Sequence, residues 1–86
     1  PEVQLSDDEK KYFADLVSKL RGTDWKAMTI NEVISETAKA SSLGSKKGFQ
    51  ALYKILINRT AGPRLGAFLE SMDKDFVIGR LTEASN

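Results

Sequence analysis

An all-α fold, a compact cluster of about five short helices, is what this 86-residue sequence predicts, and three observations predict it. Apolar residues recur at i, i+3, i+4 and i+7 in one segment after another, residues that favour helix caps open those segments, and no stretch alternates with period two for long enough to read as a strand. A chain this short buries only about 60% of its unfolded surface, so its large apolar side chains are committed to the core. The whole chain, residues 1–86, reads as a single domain without repeat or linker.

The first helix is opened by Ser6, with Glu9 three residues on completing a capping box. Phe13, Leu16, Val17 and Leu20 then form one stripe, so the helix runs from about Asp7 to Leu20 and stops before Gly22. A second box, Thr29 with Glu32, starts a helix whose inner face is Ile30, Val33, Ile34, Thr37 and Ala38, ending near Ser41. Ser45 is the expected cap of a third helix, with Phe49, Leu52, Tyr53, Leu56 and Ile57 inward, through to about Asn58. Pro63 fits the first position of a fourth, short helix carrying Leu65, Phe68, Leu69 and Met72. Asp73 caps the last, in which Phe76, Val77 and Leu81 are the expected buried set. Gly66 and Gly79 fall inside these helices, where each costs roughly 1 kcal/mol relative to Ala. Close helix-to-helix approach is the expected compensation. Trp25 is expected to be mostly buried, between the first two helices.

Charge is distributed unevenly. The net charge is +1, yet the 33 residues from Thr37 to Leu69 hold no Asp or Glu and do hold Lys39, Lys46, Lys47, Lys54, Arg59 and Arg64. Elsewhere acids match or outnumber bases. Because salt screens charges beyond about 10 Å, a polyanion responds to this local field rather than to the total.

The composition excludes several functions. With no cysteine and no histidine, the chain has neither thiol chemistry nor the usual general base and metal ligand, so His- or Cys-based triads and N/S zinc sites are ruled out. No catalytic residue, metal site or bound cofactor is expected. No apolar run approaches the ~20 residues that span a bilayer, and no secretory signal pattern is present, so no membrane partner is expected and the cytoplasm is the default compartment.

The most specific local feature is Thr60-Ala61-Gly62-Pro63-Arg64-Leu65-Gly66. If Pro63 is the first helical residue, the amides of Arg64 and Leu65 are left unpaired at a helix end, and Arg59 and Arg64 flank them. One reading is a phosphate corner; the other is a tight connection with solvated arginines. Lys46 and Lys47 open the third helix, where positive charge opposes the dipole by a few tenths of a kcal/mol, and Lys47 with Lys54 makes an evenly spaced basic edge. A solvated lysine face is the alternative. Tyr53 and Trp25 are the aromatics suited to stack on a base, although both also fit the core.

Phe49-Gln50-Ala51-Leu52-Tyr53-Lys54-Ile55-Leu56-Ile57, Gly62-Pro63-Arg64-Leu65-Gly66 with Phe68-Leu69, and Asp75-Phe76-Val77-Ile78 with Arg80-Leu81 together resemble the C-terminal end of class I lysyl-tRNA synthetases. Glutamyl-tRNA synthetases share a looser version. The resemblance implies a helical anticodon-binding domain, with the tRNA anticodon loop and the catalytic domain of the same polypeptide as partners and no DNA. Neither the HIGH-like nor the KMSKS-like ATP motif is present, so the chain is expected to be a C-terminal fragment of a lysine–tRNA ligase. ATP and lysine would belong to the full-length enzyme, not to this domain. The Asn58-Arg59-Thr60-Ala61 turn departs from the family's more charged turn, which ranks Arg64 above Arg59 as an RNA contact. The residues expected to bind RNA are Lys46, Lys47, Lys54, Arg59 and Arg64. The alternatives are a glutamyl-tRNA synthetase C-terminal domain and a helical protein-protein interaction module.

Overall fold

The computed structural model describes residues 5–59, 62 and 64–86. The capping box works as its spacing predicts: Glu9 N–H donates to Ser6 Oγ at 3.2 Å and Ser6 N–H donates to Glu9 Oε1 at 3.0 Å, opening α1 (Asp7–Leu20). Then come α2 (Ala27–Ala40), α3 (Gly44–Ile57), α4 (Leu65–Glu70) and α5 (Lys74–Ser85), with no strand among the described residues. α1 packs chiefly on α5, and α2 on both α3 and α4. The core is built from all five helices, with Phe13, Leu16, Ile34, Leu52, Leu69 and Leu81 fully buried at its centre.

Two helices start elsewhere than local patterns predict. Thr29 lies inside α2 instead of capping it; the N-cap is Lys26, which makes no side-chain cap bond. The orphan amide of Ala27 donates instead to Glu70 Oε2 at 2.8 Å, a carboxylate 43 residues away that also suits the positive helix end. Ser45 likewise falls inside α3, which begins at Gly44 with its φ at +83°. The other end of α3 closes as expected, with Asn58 left-handed and donating its N–H to Lys54 O at 3.0 Å. Pro63 lies outside the described residues; α4 begins at Leu65, which makes Arg64 the N-cap residue.

The buried face of α3 is rotated by about one position from the expected stripe. Gly48, Ala51, Leu52 and Ile55 point inward, while Phe49, Tyr53, Leu56 and Ile57 are only partly buried. The cause is small size. A Cβ added at Gly48 would stand 2.5 Å from Ala38 Cβ and 3.2 Å from the Tyr12 hydroxyl, so hydrogen at this position lets α3 close onto α2. Gly66 serves α4 in the same way, its α-carbon facing the Ala27 carbonyl of α2. Gly79 does not, since an added Cβ there meets nothing within 4 Å. Phe76, expected inside, is 57% exposed, because α5 buries only the narrow stripe of Val77 and Leu81. Trp25 is partly buried, and its Nε1–H donates to Leu69 O and Met72 O, each at 3.0 Å, closing the end of α4. Lys74 Nζ lies 5.9 Å from the centroid of the Trp25 ring and donates to Arg21 O and Thr23 O, tying the end of α1 to the start of α5.

Candidate nucleic-acid interface

On an α-helix, positions i, i+3 and i+7 share one face. Lys47, Gln50 and Lys54 occupy those positions on α3, and they form one wall of a groove of about 330 Å³. Its floor includes Leu43 and the buried Ala51; its other wall is the first turn of α1, with Ser6 and Glu9. The turn that brings the two lysines here follows from the rotation of α3. Once Gly48 faces α2, positions 47, 50 and 54 are carried to the rim. Lys54 is partly buried, as a long side chain is when its stem lies on protein and its ammonium reaches water. Among the described residues neither lysine is held in an ion pair, the ion pair found there being Arg80–Glu83 at 3.7 Å.

The other sequence-predicted contacts do not line this groove. Lys46 is exposed and lies one turn before Gln50, next to the rim. Arg59 is exposed just beyond the C-terminal end of α3, at the opposite end of the helix from Lys46. Arg64 is also exposed, but it precedes α4, the start of which packs on α2 through Gly66. The helix end differs from the expected one, because α4 begins at Leu65 and Pro63 lies outside the described residues. Arg64 is outside the six-residue helix and Leu65 is 2% exposed, so Arg64 contributes its side chain and not a helix end. Tyr53 is partly buried and its hydroxyl donates to Gly62 O at 3.3 Å, which places it at the α3–α4 connection.

Two groove residues escaped the sequence reading. Gln50 carries no charge to attract notice, although its position midway between Lys47 and Lys54 is legible once the face is fixed. Glu9 had a complete local explanation as a cap, and nothing local shows that α3 lies across from it. The buried hydroxyl of Tyr12 belongs to neither wall: it is enclosed in the core, where burial pushes its pKa up, and it has no hydrogen-bond partner among the described residues. No described helix is long and apolar enough to cross a membrane.

Fold and groove together define a small helical module with a basic, acid-free helix edge. The chain belongs to the family described as the anticodon binding domain, which matches residues 2–85. It is 40% identical to a lysine–tRNA ligase of Methanocaldococcus jannaschii over 77 residues, which are 90% of this chain and 14% of that protein. A lysine–tRNA ligase of Methanococcus maripaludis is 42% identical over 81 residues, covering 92% of the chain and 15% of the relative. One from Pyrococcus horikoshii is 34% identical over 82 residues, with shares of 94% and 16%. The chain thus spans about 14–16% of the length of these curated relatives.

Proposed function

We propose that this chain binds the anticodon loop of a transfer RNA, serving a lysine–tRNA ligase whose ATP- and lysine-binding catalytic domain lies outside these residues. The observation that carries this reading is the match of the anticodon binding domain family to residues 2–85, and the names of the relatives favour lysine over glutamate. The α3 edge supplies the physical means. Lys47 and Lys54, with Lys46 beside them and Arg64 at the head of α4, hold phosphates of the loop, and unstacked bases meet the exposed edge of the helical cluster. Phosphate contacts position the loop; base contacts select it.

The test is a titration of the chain against a fluorescent lysine anticodon stem-loop, with a scrambled loop on the same stem as competitor. The cognate loop should bind several-fold more tightly, and Lys47→Ala with Lys54→Ala should weaken both. Equal binding of both loops, unaffected by the lysine substitutions, would contradict the proposal.

A further inference from the structure

The groove holds more than two cations, and its remaining groups are those that recognise a base edge. Glu9 is pinned by the capping box: Oε1 accepts the Ser6 N–H at 3.0 Å, while Oε2 takes no hydrogen bond from any described residue. The Gln50 side chain on the facing wall has no partner among the described residues either, which leaves its amide N–H and carbonyl available. Between them lies a floor containing Leu43 and Ala51, apolar and able to meet the flat face of a ring. Lys47 and Lys54 bracket this set about 10 Å apart along the helix axis.

We infer that this groove takes one unstacked nucleobase of the loop, and that Glu9 and Gln50 select a base with an exocyclic amine beside a ring acceptor. This rests on the anticodon-loop reading and gives one of its bases a place. In such a base the amine donates to Glu9 Oε2 and the neighbouring ring nitrogen accepts from the Gln50 amide, the carboxylate-to-amine and amide-to-base pairings that nucleic-acid recognition uses elsewhere. Adenine and cytosine present that pattern on their Watson–Crick edges, where guanine sets an N1–H donor beside its amine. Uracil sets a carbonyl oxygen against the carboxylate, so two acceptors face each other without a proton. Lys47 and Lys54 then contact the phosphates on either side of the nucleotide, and they do so whatever the base. Glu9 and Gln50 set specificity; the lysines set affinity.

The test uses RNA hairpins that share one stem and differ at a single loop position, which carries A, C or U, each loop position being varied in turn. At one position the chain should bind the A or C hairpin about tenfold more tightly than the U hairpin, as expected for one good edge contact. Gln50→Ala should bring that preference within twofold. Glu9→Gln keeps the capping box, since glutamine serves there too, and should erase or reverse the preference at unchanged helicity. Lys47→Ala should weaken every hairpin alike. Absence of any position with more than twofold discrimination, or discrimination that survives both Gln50→Ala and Glu9→Gln, would overturn the inference. Hairpins that still outcompete the blunt duplex of the same stem would then leave loop binding standing. Hairpins bound no better than that duplex would overturn the loop reading and this inference with it.

Discussion

Adding one methyl group at Gly48 tests how the groove is built, because the closeness of α3 to α2 is what carries Lys47, Gln50 and Lys54 to the rim. The new Cβ would lie 2.5 Å from Ala38 Cβ, about 1 Å inside ordinary contact, and Ala38 Cβ is fixed to its backbone and cannot swing away. The helices must separate. Overpacking of this kind costs about 1–3 kcal/mol, offset by ~1 kcal/mol for replacing a helical glycine, so Gly48→Ala should destabilise the chain by about 1 kcal/mol. Ala38→Gly alone loses somewhat more, ~1 kcal/mol in helix propensity and ~0.8 kcal/mol in buried methyl. In the double variant the methyl crosses the seam, both propensity changes cancel, and stability should return to within ~1 kcal/mol of the parent, a coupling of about 2–3 kcal/mol. Gly79→Ala is the control: with nothing within 4 Å of the added carbon, it should stabilise by up to ~1 kcal/mol. Urea denaturation followed by circular dichroism gives all four values. A Gly48→Ala chain as stable as the parent, or a double variant that merely sums the singles, would refute the reasoning.

Two further outcomes follow from the core. Trp25→Ala should cost about 3–5 kcal/mol, whereas Trp25→Phe keeps most of the ring and loses the two bonds to Leu69 O and Met72 O, a change of about 1–2 kcal/mol; equal losses in thermal or urea unfolding would show that the indole N–H contributes nothing. Burial raises the Tyr12 pKa above its unfolded value of about 10, so the native state holds the proton more tightly. Stability is therefore unaffected by this group below pH ~10 and falls by about 1.4 kcal/mol per pH unit above it. Tyr12→Phe should remove that alkaline slope, and at neutral pH it should leave stability unchanged or raise it by ~1 kcal/mol, since the hydroxyl lacks a partner among the described residues. A clear loss at neutral pH would show that the hydroxyl is bonded.

Where the sequence was legible, the deciding contacts were local. Ser6 and Glu9, like Asp73 and the Phe76 amide it accepts from, lie three residues apart, so α1 and α5 start where their caps place them. Where the start of α2 was misread, the cap came from Glu70 across the fold, and no spacing rule reaches 43 residues. The face of α3 differs from the expected stripe because apolar periodicity gives weight to Phe49 and Tyr53, while the buried face includes Gly48 and Ala51, residues that pack by being small. The same bias put Phe76 inside and credited Gly79 with a close helix approach that Gly66 and Gly48 make instead. For the interface, the basic edge of Lys47 and Lys54 followed from spacing on a single helix. The opposite wall did not, because it depends on α1 lying across from α3.

The most direct test of the central claim is the salt dependence of anticodon stem-loop binding. Four phosphate contacts, from Lys46, Lys47, Lys54 and Arg64, at roughly −0.7 each for a single strand, predict a slope of log affinity against log salt of about −2 to −3. Removing Lys47 and Lys54 together should flatten it by about 1.4, at unchanged helicity. A parent slope near zero, or one that the double substitution leaves unaltered, would contradict the claim that the α3 edge is where this chain holds RNA.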